Sequence, residues 1–342
     1  MAADLPPVAL ERYLASQLDD FTGPLTIARF RGGQSNPTYR LSTPAGDYVL
    51  RRKPFGKLLP SAHAIEREYR ITGALHGAGF PVARPFHLCT DNSVIGSAFY
   101  VMEFVEGRIF WTPHAPQLGV EQRAAVFDAM NATIARLHSI DHAAAGLSGF
   151  GRPEGYVARQ IRRWSEQYRA SETEKIAAMD RLIEWLPSAC PRETGQAIVH
   201  GDFRLDNCII HPTEPRIIAV LDWELATIGD PIADFTFHLM QWFMPVSEDG
   251  SGVGSLMGHE DCPGIPALGE YIASYCRRTG RDSIADLNVY LTYNFFRLAA
   301  ILQGILGRVR EGTAANADAA AMARQVEPLA ETAWGFARKA GA

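Results

Sequence analysis

The chain has 342 residues, 47% hydrophobic and 21% charged, with a formal net charge of −5 at pH 7. That length fits two lobes better than one undivided core, and the mild acidity argues against a global positive field that would draw nucleic acid or an anionic membrane. Five cysteines (Cys89, Cys190, Cys208, Cys262 and Cys276) are scattered without a CxxC pair, which argues against a disulfide framework or zinc cluster and points to a reducing compartment.

The opening MAADLPPVALERYL has acidic residues and prolines where a signal peptide needs a basic end and an apolar run. No uninterrupted apolar stretch approaches the ~20 residues that span a bilayer. A cytoplasmic protein is expected, with no nucleic-acid or membrane partner. Short β-type runs follow at Thr26 to Arg31, Pro37 to Leu41 and Asp47 to Arg52, separated by the turn-rich strings GGQSN and TPAG. A helix is predicted from about Ser61 to His76, on the periodicity of Ile65, Tyr69, Thr72 and Leu75. AFYVMEFVEG then reads as a buried strand leaving a β-rich lobe, residues 1–103.

From residue 104 to 342 the pattern turns helical. Amphipathic helices are predicted at Gln122 to His138, Glu154 to Ala170 and Glu174 to Leu186. Strands at AIVHGDF, NCIIH and RIIAVLDW interrupt them. Helices resume at Ile232 to Phe243, Leu268 to Arg278, Ile284 to Arg308 and Ala321 to Ala340. A glycine-rich loop, Met244 to Ala267, is longer than compact domains usually allow, so a substrate lid and plain disorder both stay open.

The chemistry concentrates in HGDFRLDN, His200 to Asn207, and in VLDWE, Val220 to Glu224. Magnesium takes hard oxygen ligands and shares them with phosphates; Asn207 and Asp222 supply two from strand ends. Asp202 precedes Asn207 by five residues, the spacing of a kinase catalytic Asp and its metal-binding Asn. A carboxylate at that place orients a hydroxyl and accepts its proton. One HGD alone is ordinary turn chemistry, but Asp202, Asn207 and Asp222 together in a strand–loop–strand setting are not explained by turns. GSGVGSLMG follows no strand and opens no helix, so it is not a dinucleotide fingerprint. His259, Glu260, Asp261 and Cys262 are consecutive and cannot easily converge on one ion.

VHGDFRLDN followed by LDWE resembles the active site of the aminoglycoside phosphotransferase and choline kinase superfamily, relatives of protein kinases. The resemblance implies an α+β, bilobal protein-kinase-like fold, with ATP and Mg2+ as cofactors and a small-molecule hydroxyl as acceptor. It makes Asp202 the catalytic base, Asn207 and Asp222 the magnesium ligands, and Arg204 a weaker carry-over that meets the transferring phosphate. Asp234 is similar to the aspartate that shapes the catalytic loop. GGQSN resembles the GGxSN loop of choline kinases, so Gly33, Ser35 and Asn36 would cover phosphates. Alternatively this loop is a plain hairpin turn. Arg51 matches the strand cation that touches phosphates, facing oppositely to Arg52. Its ion partner by the family pattern is Glu68, with Glu66 solvated. Met102 would sit behind adenine, with the backbone of Glu103 and Val105 on its edge.

The chain is most similar to the branch associated with acyl-CoA dehydrogenases, through RKPFGKLLPSAHAIEREY, FGRPEGYVARQIRRW and the catalytic string. That implies a functional link to those enzymes and a hydroxy-acid or hydroxyacyl-CoA acceptor. Arg159, Arg162 and Arg163 with Trp164 form either a solvated helical face or an anion-binding wall for the acceptor; Lys53 and Lys57 lie before the first-lobe helix. An aminoglycoside or choline kinase, and a silent nucleotide-binding module, remain the competing readings.

Overall fold

The structure is a computed structural model that describes residues 5–30, 36–55, 64–152, 154–246, 254–259, 261–310 and 319–342. Gly33, Ser35, Lys57, Glu260, the predicted helix start at Ser61 and the middle of the glycine-rich loop lie outside them. The chain divides into two compact units, each assembled from separated stretches. Residues 1–108, 143–147 and 208–226 make the first, and residues 109–142, 148–207 and 227–342 the second.

The first unit is built on an antiparallel sheet of β1 (Thr26–Arg29), β2 (Thr38–Thr43), β3 (Gly46–Arg52), β4 (Pro85–Cys89) and β5 (Phe99–Glu103), in the order β1-β2-β3-β5-β4. Alternation sorts its side chains onto two faces. Tyr39, Leu41, Leu50, Phe99 and Val101 pack with Leu10 and Leu14 of α1 (Pro7–Gln17). Tyr100 and Met102 turn the other way, onto Ile65 and Tyr69 of α2 (Ile65–Gly77). Each fully buried Leu or Phe in such a layer contributes roughly 1.5–3 kcal/mol.

The predicted strands are present, AFYVMEFVEG as β5, but α1 and β4 were not anticipated. α1 announces itself only by Pro7 at its start and by Leu10 and Leu14 four residues apart. β4 carries a register shift between Pro85 and His87, which interrupts the alternation that would betray it.

After β6 (Ala197–Val199), which belongs to the second unit, the first unit adds a hairpin of β7 (Cys208–Ile210) and β8 (Ile217–Val220), paired Cys208↔Val220. Gly107 lies against it: a Cβ there would meet Ile209 Cγ2 at 2.4 Å and the Ile210 carbonyl at 2.5 Å. No larger residue allows Arg108 to pair with Ile210 as it does.

The second unit is helical: α3 (Val120–Ser139), α4 (Tyr156–Ser171), α5 (Ala177–Ala189), α6 (Pro231–Leu239), α7 (Leu268–Thr279), α8 (Leu287–Arg310) and α9 (Ala319–Lys339). β6 pairs with β9 (Thr227–Gly229), a three-residue strand too short to read from sequence. α8 is long and apolar enough by composition to cross a membrane, and 89% of its most apolar stretch is buried inside the protein, as in a core helix.

Candidate active site

In the second unit, β6 runs straight into His200, Gly201 and Asp202. Gly201 has φ 85°, a left-handed conformation that a side chain would strain. This turn aims two successive N–H groups at one carboxylate: His200 and Gly201 donate to the two oxygens of Asp234, each at 2.7 Å. His138 Nε2 lies 3.1 Å from the same carboxylate, and its Nδ1 is 2.7 Å from the Tyr275 hydroxyl. Burial works against the Asp234 charge, but the bonds from His138 and the loop backbone hold its carboxyl below the usual range. Arg297 of α8 approaches from another side, donating to the Gly201 carbonyl at 3.0 Å while its guanidinium lies over the Phe237 ring.

Asp234 therefore shapes the loop, as the sequence suggested. His138, Tyr275 and Arg297 escaped sequence reasoning. The one available signal was an arginine set in the apolar run YNFFRLAA; it is 6% exposed.

Asp202, thus held, keeps its side chain about a quarter exposed (26%). Residues Leu205–Asn207 make a single 3-10 turn that brings Asn207 back to it. The Asn207 amide nitrogen donates to the Asp202 carbonyl at 2.9 Å and to its Oδ2 at 3.2 Å. Those two bonds orient the amide and leave its oxygen on the opposite side. Arg204 bridges two carboxylates, with Nε 3.2 Å from Asp202 Oδ1 and Nη2 3.0 Å from Asp206 Oδ2.

In the first unit, Arg51 projects from β3 onto the α2 face of the sheet. Its Nε meets Glu68 Oε2 at 2.7 Å, the ion pair expected of these residues, and its Nη2 meets Asp222 Oδ1 at 2.9 Å. Glu68 is 2% exposed and also accepts from Asn36 Nδ2 at 2.7 Å and from the Tyr100 hydroxyl at 3.2 Å. Burial pushes the Glu68 carboxyl up against the pull of Arg51. Burial likewise opposes the Arg51 charge, but Glu68 and Asp222 outweigh it and hold the guanidinium cationic.

Arg52 points to the opposite face, buried against the Tyr39 hydroxyl and over the Phe55 ring at 3.7 Å. Glu66 is not simply solvated: it pairs with Lys53 Nζ, because both lie at the partly exposed edge of the α2 face. Asp222 follows β8 by two residues and adopts φ 63°, ψ 62°. A non-glycine residue in that region is strained and is held there by its surroundings.

Asn36 serves Glu68 directly, whereas Gly33 and Ser35 fall outside the described residues. Met102 is half-buried beside Tyr100. The Glu103 N–H already donates to the Arg84 carbonyl at 2.9 Å, so an adenine edge would be offered the Glu103 carbonyl instead. Val105 is half-buried in the segment after β5.

On α4, Arg159 donates to the Arg152 carbonyl, Arg162 and Arg163 are exposed, and Arg163 lies over the Trp164 ring at 5.2 Å. Trp164 Nε1 donates to Gln160. The second unit also contains a cavity lined by Arg204, Leu205 and Asp206 of the loop that follows Asp202 and by residues of α6 and of the 109–113 segment. None of the four expected α4 residues is among the described residues that line it.

The chain matches the phosphotransferase enzyme family over residues 26–287. It is 46% identical to acyl-CoA dehydrogenase family member 10 of Mus musculus across 98% of this chain and 32% of that protein, so it spans about a third of that relative's length. A crystal structure from Ralstonia eutropha, provisionally named an aminoglycoside phosphotransferase, is also 46% identical; it superposes with a TM-score of 0.87 over 98% of this chain and 99% of that one. Spectinomycin phosphotransferase, solved with ADP and spectinomycin, is 12% identical and shares the fold alone, with a TM-score of 0.62 over 98% and 99% of the two chains. The fold is thus the protein-kinase-like one, with a β-sheet N-terminal region and a helical C-terminal region.

Proposed function

Because this chain belongs to the phosphotransferase enzyme family, we propose that it is a small-molecule kinase that moves the γ-phosphoryl group of ATP to an alcohol, with Mg2+ as its metal. The observation that carries this reading is the Asp202 carboxylate, partly exposed on a loop whose backbone is clamped by buried Asp234 and Arg297. Preorganisation of that kind suits a group that must meet a proton in the transition state.

The roles assign to each unit in turn. In the second, Asp202 orients the acceptor hydroxyl. As the acceptor oxygen bonds to the γ-phosphorus, the bond from that phosphorus to the β–γ bridging oxygen breaks and ADP leaves with the electron pair. The hydroxyl proton passes to Asp202. The Asn207 amide holds Asp202 by its backbone carbonyl and orients its carboxylate through the bond to Oδ2. Arg204 offsets negative charge beside it. In the first unit, Arg51 binds nucleotide phosphate with its fork held by Glu68, Met102 backs the base, and the Glu103 carbonyl and Val105 backbone meet its edge.

The Asn207 amide oxygen and the Asp222 carboxylate are hard donors. Among the described residues no three His, Cys, Asp or Glu side chains gather into a metal cage. Each unit would offer magnesium one of those hard donors, and that ion takes hard oxygens while keeping waters and phosphate oxygens in its sphere. When bound, the ion neutralises charge on the phosphates.

We propose further that the acceptor is a hydroxy acid or hydroxyacyl-CoA; a relative named as an acyl-CoA dehydrogenase family member supports a kinase that works beside that chemistry. The test incubates the protein with ATP, Mg2+ and a panel of hydroxy acids, hydroxyacyl-CoAs, choline and aminoglycosides, following ADP release and product mass. An 80 Da mass gain on one hydroxylated class supports the reading; ADP release that no acceptor stimulates overturns it.

A further inference from the structure

The cavity beside the catalytic loop has a composition that speaks to its occupant. Its apolar wall consists of Phe110, Trp111, Pro113, Phe237, Met240 and Met244. Its polar groups are engaged. Arg204 bridges Asp202 and Asp206, which sets one cation against two carboxylates within the loop itself. His238 sits between the Phe203 carbonyl at 3.1 Å and the Tyr271 hydroxyl at 2.8 Å, and burial pushes its imidazole down to about 4, so it stays neutral. Gln241 supplies an uncharged amide.

The rim is ordered by backbone as well as side chains. Leu256 N–H donates to the Gln241 carbonyl at 2.7 Å and the Ser255 hydroxyl to that of Met244 at 2.6 Å. Gly254 comes so near the other wall that a Cβ would meet Pro113 Cδ at 2.6 Å. The described end of the glycine-rich stretch thus closes one side of this cavity. At its mouth Trp111 is 72% exposed, an aromatic surface left in water that the fold does not use.

From this lining we infer that the cavity, about 40 Å³ in volume, receives only the hydroxyl-bearing end of the acceptor, that the neutral, apolar body of the alcohol lies against Trp111 at its mouth, and that Trp111 is the specificity-determining residue of this acceptor subsite. The inference rests on the phosphotransferase reading and narrows it. A polycation needs several unpaired carboxylates, and Asp206, the only acidic residue lining the cavity among those described, is already bound to Arg204. An anionic group on the acceptor would lie outside the cavity, with its apolar portion against Trp111.

Binding and turnover test this separately. Hexan-1-ol, hexane-1,6-diol and a polyamino sugar are titrated against the full chain, reading the tryptophan emission that differs between wild type and Trp111→Phe. The two alcohols are expected to change the Trp111 emission and the polyamino sugar not to. In turnover, Trp111→Ala raises KM for the alcohols roughly tenfold with KM for ATP unchanged, and Trp111→Phe restores most of it. Binding of the alcohols by a protein that phosphorylates no acceptor of the wider panel would sustain the subsite and sink the kinase reading. Preferential phosphorylation of the polyamino sugar would do the reverse. Failure of the alcohols to bind, or an unaltered KM in Trp111→Ala, overturns the inference.

Discussion

Arg51 holds Asp222 by a 2.9 Å hydrogen bond from the same guanidinium that meets buried Glu68 at 2.7 Å. The residue assigned to nucleotide phosphates therefore also orients a carboxylate assigned to magnesium. Arg51→Ala should not be a purely functional change, since it leaves a carboxylate of 2% exposure without its cation. Breaking a buried pair by removing one partner costs about 3–5 kcal/mol. Urea unfolding should show that loss for Arg51→Ala and a clear recovery when Glu68→Gln is added. Equal stability of the single and double variants would mean the pair is solvated.

Asp222 stands at φ 63°, where any side chain pays for its Cβ. Asp222→Gly should be more stable than Asp222→Ala by roughly 1 kcal/mol, since glycine enters the left-handed region freely. Both variants should need more Mg2+ for half-maximal nucleotide binding, measured by calorimetry at several Mg2+ concentrations. Equal stability would show that the strain is relieved elsewhere.

Asp202→Asn should lower kcat by roughly 10²–10⁴ while leaving nucleotide affinity near that of wild type. Its remaining carbonyl oxygen still accepts from Asn207, so the loop should keep its shape. Near-normal turnover in this variant would remove Asp202 from the role of base.

His238 sets an acid limb on stability. Its folded-state pKa is pushed down to about 4 by burial, below the ordinary ~6.5 of an unfolded histidine. The unfolded chain therefore takes up the proton first. The cost is absent above about pH 6.5, and stability falls as pH drops from there to about 4, by on the order of 3 kcal/mol in all. A His238→Gln variant, less stable at pH 7, should show a flatter pH dependence in that window by thermal denaturation. An unchanged slope would place the titration elsewhere.

Arg162→Ala and Arg163→Ala should leave KM for both substrates within about twofold, as exposed surface substitutions usually do. Neither side chain lines the cavity beside the catalytic loop. Arg159→Ala should resemble them, because Arg159 is occupied with the Arg152 carbonyl. A loss of charge-assisted hydrogen bonds, about 1.5–3 kcal/mol per contact, would appear as a rise of tenfold or more in KM for the acceptor and would restore the anion-binding wall.

Local rules sufficed for much of this protein. Alternation along YVLRR alone put Arg51 and Arg52 on opposite faces, because a strand reverses its side chains at every residue. Spacing brought Asp202 and Asn207 together in one loop, where the Asn207 amide donates to Asp202, and helical periodicity located α3 to α8 within a few residues. Tertiary structure decided what lies far apart in the chain. Asp234 reaches back 34 residues to the His200 N–H, Arg297 reaches 96 residues to the Gly201 carbonyl, and His138 enters from α3. A buried polar group must find a partner, but the free energy that demands one does not say where in the sequence it stands. The acceptor side shows the same limit. Phe110 and Trp111 lie far along the chain from Met244 and form a wall with it only after packing brings those separate segments together.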